Sequence, residues 1–275
     1  MTVPTIAIIG AGNMGSCLIG GLISNGHPPH KLFASDPSSE KLSELQQKTG
    51  IRTSTDNIEA IKDAEIIIFA VKPQLFHDIA KELTKLVQKN KPLVMSVAAG
   101  IRESSIQDWL GGNVAIVRVM PNTPSLISCG AAGLYANQLV NHEQHNQAES
   151  IMRSVGIVIW LSDEKQIDAV TALSGSGPAY FFLMMEALQQ AGEELGLPKE
   201  TARLLTLQTA LGASRMAIES GKPLDELRQN VTSKGGTTEK AILVLEENQL
   251  RNIYQKALLA AKQRSEELAE IMGKM

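Results

Sequence analysis

Up to Leu161 the apolar residues come mainly as short unbroken runs, each followed by a turn and then by apolar positions at helical spacing. Thr5-Ile6-Ala7-Ile8-Ile9 runs into glycine and gives way to Leu18, Ile19, Leu22 and Ile23. The alternation recurs at Leu32-Phe33-Ala34 before polar Ser38 to Lys48, at Ile66 to Ala70 before Leu75 to Val87, and at Leu93 to Val97 before Arg102 to Leu110. Val114 to Val119 adds a strand, and Val155 to Leu161 reads as the last. Strands buried on both faces under helices show such continuous runs. The pattern therefore predicts an α/β unit, a Rossmann-type doubly wound parallel sheet over 1–162. Asp163 with Gln166 resembles a capping box for the helix that follows.

From residue 163 to 275 the pattern becomes helical, with breakers at Gly196-Leu197-Pro198, Gly221-Lys222-Pro223 and Gly235-Gly236. This predicts an all-α second domain. Its final helix carries an apolar face through Leu250, Ile253, Tyr254, Ala257, Leu258, Ala261, Leu268, Ile271 and Met272. Tyr180 to Met185, by contrast, is apolar around the whole helix, a surface that needs a cover. The expectation is a homodimer through the helical halves.

Composition narrows the class. The 275 residues are 43% hydrophobic and 20% charged, as in a globular chain, and 26 basic against 29 acidic residues give −3 with the signs interspersed. Neither a nucleic-acid surface nor an acidic tail is indicated. With two cysteines, Cys17 and Cys129, no disulfide framework is expected, and no metal site is predicted. Thr2 to Ile9 lacks the flanks of a signal peptide, and no apolar run approaches the ~20 residues of a membrane span. A cytoplasmic protein is expected.

The first chemical motif is Gly10-Ala11-Gly12-Asn13-Met14-Gly15, a G-x-G-x-x-G between a strand and a helix, the setting a dinucleotide fingerprint requires. Gly10 permits the tight turn, Gly12 lets a pyrophosphate approach, and Gly15 lets helix and strand pack closely, while the free N–H groups of the helix start attract the anion. Asp36 lies about twenty residues further on, where an acidic side chain accepts from the ribose hydroxyls of NAD. Ser35 and Ser38 are donors to a 2′-phosphate instead, no arginine occurs from Ser35 to Lys41, and a turn role for Asp36 before Pro37 stays open.

Three more segments add to this: Ala70-Val71-Lys72-Pro73 after a strand, Leu173-Ser174-Gly175-Ser176-Gly177-Pro178-Ala179-Tyr180, and Val231-Thr232-Ser233-Lys234-Gly235-Gly236-Thr237-Thr238. With Arg118 to Pro124, and with Ala241 and Leu245 after the last segment, the chain resembles the pyrroline-5-carboxylate reductases over almost its whole length. It departs from them at Lys234, where the family commonly has proline. The resemblance implies NAD(P)H-dependent reduction of 1-pyrroline-5-carboxylate to L-proline, the last step of proline synthesis, by an intertwined dimer that often assembles further. It implies that Asn57, Ala70, Val71, Lys72, Pro73, Ala98, Ala99, Gly100 and Asn230 join the glycine turn around the cofactor. Substrate would be held by Ser176, Ser233, Gly236, Thr237 and Thr238, with Glu164 nearby. The resemblance favours NADPH, whereas Asp36 argues for NADH.

The chemistry suits these residues. A cyclic imine acid needs its carboxylate fixed and one face of its C=N bond presented to the nicotinamide. Gly235-Gly236-Thr237-Thr238 opens a helix, whose unpaired N–H groups receive an anion, unless Ser233 merely caps it. Hydride transfer to a protonated imine demands positioning more than a strong base, so no catalytic dyad is required. His27, His30, His77, His142 and His145 fall in polar or loop stretches and read as solvated. Thr238 is the catalytic candidate, its hydroxyl orienting the ring nitrogen. Two rivals stand beside this reading. A β-hydroxyacid dehydrogenase would need a lysine on a G-x-x-x-K helix, which Gly196 to Lys199 approaches only at a helix break. A non-catalytic NAD(P)H sensor would bind cofactor without turnover.

Overall fold

The structure, a computed structural model, describes residues 3–274; Thr2, the start of the apolar N-terminal run, lies outside them. Eight strands form one sheet: β1 (Ile6–Ile9), β2 (Leu32–Ser35), β3 (Arg52–Ser54), β4 (Ile66–Phe69), β5 (Leu93–Ser96), β6 (Ile116–Met120), β7 (Gly130–Ala136) and β8 (Gly156–Trp160), in the order β3-β2-β1-β4-β5-β6-β7-β8. Helices α1 (Asn13–Ser24), α2 (Ser39–Thr49), α3 (Asn57–Ile61), α4 (Pro73–Asn90), α5 (Glu103–Trp109) and α6 (His142–Arg153) connect them. Every residue of β1, β2, β4 and β5 is buried, as the unbroken apolar runs require. One face packs Ile6, Ile8, Leu18, Ile19 and Ile66 into a core cluster, and the other packs Ala7, Ile9, Phe69, Phe76 and Ile106 into a second.

Two strands escape the sequence pattern. β3 is three polar residues at the sheet edge, with no buried side chain to leave an apolar run. β7 is Gly-Ala-Ala-Gly-Leu-Tyr-Ala, poor in strand formers, and it runs antiparallel to β6 in a sheet otherwise parallel. Its small residues answer to packing: a Cβ at Gly133 would lie 2.9 Å from Val170 Cγ1, and one at Gly130 would lie 2.8 Å from the Val155 carbonyl oxygen.

Next come α7 (Gln166–Val170) and a π-helical turn, Thr171–Gly175. Then follow α8 (Gly177–Glu194), α9 (Lys199–Ser220), α10 (Leu224–Asn230), α11 (Thr237–Glu247) and α12 (Leu250–Met272). The anticipated box before α7 forms one residue out of place. Gln166 Oε1 accepts from the Asp163 N–H at 3.3 Å, while Asp163 Oδ1 accepts from Lys165 N–H at 2.9 Å.

Two compact units result: Met1–Ser176 with Ala260–Met275, and Gly177–Leu259. The sequence division at 162/163 follows the change to helical pattern, whereas the compact division follows packing. α7 lies against β7 through Val170 and Gly133, and the last turns of α12 return to the first unit. There Ser265, Ala269 and Met272 are buried, and Ser265 Oγ donates to Asp168 Oδ1 at 2.6 Å. Upstream, the predicted apolar stripe of α12 remains open: Ile253 is 57% exposed.

Candidate functional site

At the carboxyl end of β1 the chain turns through Gly10 at φ +103°, where an added Cβ would lie 2.5 Å from the Ala70 carbonyl oxygen. No residue but glycine suits that conformation and that gap. A Cβ at Gly15 would overlap the Gly10 carbonyl oxygen, so this glycine sets how closely α1 sits on β1. Gly12 differs. It has an ordinary φ of −74°, and a Cβ added there would meet nothing within 4 Å, so the space beside it is open. α1 carries no acidic residue in its first turn and no side-chain cap, and the N–H groups of Asn13, Met14 and Gly15 have no protein acceptor among the described residues. An open space facing unpaired amides at a helix start fits a pyrophosphate.

The cleft beside this turn has a volume near 450 Å³. It brings together the glycine turn, Ser35, Asp36, Asn57 and the Ala70 to Lys72 segment. Pro73 sits at the first position of α4, where its fixed φ favours the helix start. Ser35 Oγ donates to Asn57 Oδ1 at 2.7 Å. Asp36 is turned inward: its Oδ2 accepts from the Ala11 N–H and its Oδ1 from the Ser38 N–H, each at 3.0 Å, and the residue is 9% exposed. This is the turn role left open by the sequence, extended to bracing the glycine loop. Lys41 and Lys72 also line the cleft, and neither forms an ion pair among the described residues. A search of the sequence for arginine alone passes over Lys41, although it stands in the same stretch.

Ala98, Ala99 and Gly100 follow β5 and are not in the lining of this cleft. Gly100, at φ +72°, is backed by α12, since a Cβ there would lie 3.4 Å from Leu268 Cβ. Glu164 is held by protein groups: its Oε1 accepts from Arg118 Nη1 at 2.5 Å and from the Glu103 N–H at 2.6 Å. The Tyr135 phenol, opposite Arg118 in the β6–β7 register, is pushed up by burial and then by the negative charge of Glu164 and Glu103. Ser176 donates its N–H to the Thr171 carbonyl at 2.8 Å. Pro178 has no N–H for the Ser174 carbonyl, which instead accepts from Asn122 Nδ2 at 3.1 Å.

The remaining candidates belong to the second unit. Asn230 ends α10. Gly236 caps α11 without any side-chain bond, so Ser233 does not cap it. Two of the four main-chain donors anticipated here are already engaged. Gly236 N–H donates to the Ser233 carbonyl at 3.0 Å and Gly235 N–H to Glu239 Oε2 at 2.7 Å. The N–H groups of Thr237 and Thr238 have no acceptor among the described residues, and both side chains are exposed. The donors left open are therefore this pair, at the positive end of α11, where an anion would be favoured.

Three histidines depart from the solvated reading. The His77 side chain is 17% exposed and lies edge-on to Trp109 with ring centroids 5.3 Å apart. His27 is half-buried, with its Nε2 inaccessible and unpartnered, and burial holds its pKa below the usual value. His145 stacks on Trp160 with ring centroids 3.7 Å apart. Among the described residues no cluster of His, Cys, Asp and Glu is arranged to hold a metal ion, and no helix is long and apolar enough to cross a membrane.

Residues 164–268 match the family described as pyrroline-5-carboxylate reductase dimerisation, and residues 5–100 match NADP oxidoreductase coenzyme F420-dependent. The chain is 50% identical over 273 residues to a pyrroline-5-carboxylate reductase of Pseudomonas aeruginosa, covering 99% of this chain and 100% of that one. The solved structure of a pyrroline-5-carboxylate reductase from Coxiella burnetii superposes with a TM-score of 0.95 at 50% identity, covering 98% and 99% of the two chains. The pyrroline carboxylate reductase of Plasmodium falciparum, solved with NADP bound, gives 0.86 at 30% identity, covering 98% and 99%.

Proposed function

The chain belongs to the pyrroline-5-carboxylate reductase family, and from that premise we propose that it reduces the C=N bond of 1-pyrroline-5-carboxylate to give L-proline, the last step of proline synthesis. The observation that carries this reading is the pair of open amides at Thr237 and Thr238 beside the Thr238 hydroxyl. The amides donate to the substrate carboxylate. The hydroxyl accepts the N–H of the protonated imine and fixes the ring face. When bound, the reduced nicotinamide supplies the hydride to the imine carbon; the C=N electron pair stays on nitrogen, and the product amine takes its second proton from water. Positioning is the protein's main contribution, as an electrophilic iminium needs little further activation.

The cofactor proposed is NADPH, held by Gly10, Ala11, Gly12, Asn13, Met14 and Gly15 along its pyrophosphate and by Ser35 and Asn57 at the ribose. Two features of the cleft support the phosphorylated form: Asp36 has both oxygens engaged by backbone N–H groups, and the lysines at 41 and 72 face the cleft unpaired. Ala98, Ala99, Gly100 and Asn230 are proposed at the nicotinamide end, with Ser176, Ser233, Gly236 and Glu164 around the substrate.

The dimerisation-family match supports oligomerisation, and we take the unit to be a homodimer. Phe181, Phe182 and Leu183 on α8 are 55%, 65% and 66% exposed, an apolar surface that a second copy would cover. The proposed setting is the cytoplasm, where the exposed, unpaired Cys129 stays a thiol. Following NADPH and NADH oxidation separately, with five- and six-membered cyclic imine acids, tests the reaction. NADPH oxidation dependent on the five-membered substrate is expected, and cofactor binding without imine-dependent oxidation would refute it. Thr238→Ala should lower turnover about 100-fold, the scale of losing a group that positions the reacting atoms, with cofactor affinity retained.

A further inference from the structure

The turn that leads into α11 is held by a side chain outside the turn itself. Gly236 N–H closes the turn on the Ser233 carbonyl, and Gly235 in third place holds φ +74°. This is the glycine-dependent type II pattern, in which the second position favours proline because its ring presets φ. Lys234 stands there, exposed and with no ion pair among the described residues, and brings no such restraint. The turn has a different brace. Glu239, third residue of α11, reaches back and accepts the Gly235 N–H at 2.7 Å. The bond resembles the return half of a capping box, displaced to the residue before the cap, and an acidic side chain in the first helical turn also suits the positive helix end.

We propose that Glu239 is a positioning residue for the substrate acid group. Its bond to Gly235 holds the Ser233–Gly236 turn in the form that leaves the Thr237 and Thr238 amides open, replacing the restraint Lys234 cannot give. The inference rests on the substrate reading of Ser233 to Thr238 given above. It also accounts for a carboxylate beside an anion site, where charge alone would oppose it. Glu239 repels the incoming acid but keeps the turn ordered beforehand, so substrate does not bear the ordering cost.

Four variants separate these contributions by steady-state kinetics. Glu239→Ala should raise KM for the imine acid about fivefold, the scale of losing one capping bond, with the cofactor KM unchanged. Glu239→Gln keeps an acceptor and drops the charge, so its KM should equal or fall below the parent's. Lys234→Pro added to Glu239→Ala should return KM to within about twofold of the parent, a rescue that a merely structural loss elsewhere would not show. A parental KM in Glu239→Ala, or no rescue by proline, overturns the proposal. Thr238→Ala in parallel distinguishes the failures. If it is fully active, the hydroxyl's part in the proposed reaction falls while the main-chain amides, which the substitution keeps, are still judged by the Glu239 series; if it is impaired while Glu239→Ala is not, only the role of Glu239 falls.

Discussion

Gly10 and Gly12 are two residues apart in one loop, yet replacing each with alanine should break different things. At Gly10 the new Cβ would meet backbone, 2.5 Å from the Ala70 oxygen and 2.9 Å from its carbon, at a φ of +103°. Positive φ costs an L-residue about 1–2 kcal/mol and forced overpacking about 1–3 kcal/mol, so Gly10→Ala should lose about 2–5 kcal/mol. At about 2–4 °C per kcal/mol for a chain of this size, Tm falls by roughly 5–20 °C. Gly12→Ala meets nothing within 4 Å and keeps an allowed φ of −74°. Its weaker N-cap costs about 0.5–1 kcal/mol, and the restriction of the unfolded chain returns about 0.4–1 kcal/mol, so stability should hold within roughly 0.5 kcal/mol. The methyl, however, occupies the space assigned to the pyrophosphate, and loss of about one close charge-assisted bond weakens cofactor binding about tenfold or more. Thermal unfolding and titration of reduced-dinucleotide fluorescence read the two effects independently. A Gly12→Ala protein that binds cofactor as tightly as the parent would refute the cradle assignment, and a Gly10→Ala protein of parental Tm would refute the packing argument.

Further perturbations probe the rest of the molecule. Lys41→Ala should weaken NADPH binding about fivefold to tenfold and leave NADH binding nearly unchanged, measured by the same titration; an unaltered NADPH-to-NADH ratio would remove Lys41 from cofactor choice. Leu183→Glu places a charge in the exposed apolar face of α8 and should shift the mass measured by light scattering toward monomer at micromolar concentration. His27 has a folded pKa below its ordinary 6.5, so the folded state binds fewer protons there. Its contribution to stability is complete above about pH 6.5 and is lost as pH falls through that value toward the folded pKa. Replacing His27 with Gln should flatten the stability profile in that acidic window, read as Tm from pH 7.5 down to 5.

Sequence pattern alone determined the parallel core, because β1, β2, β4 and β5 are buried on both faces and had to be written as unbroken apolar runs. It also located the glycine turn, in which the φ and close contacts of Gly10 admit no other residue. It missed β7, built from glycine and alanine because Val170 and Val155 press on it, so that the same packing that makes the strand erases its signature. That Asp36 braces the glycine loop was visible only in three dimensions, since residues 25 apart in sequence bring the Ala11 N–H to its carboxylate. The same holds for Glu164, bound to Arg118 and Glu103, and for the last turns of α12, which look like part of the helical half until Ser265, Ala269 and Met272 are found buried in the first unit. Local spacing encodes which face of a strand or helix is apolar; which distant polar group completes a hydrogen bond is set by the tertiary fold, because no periodicity records it.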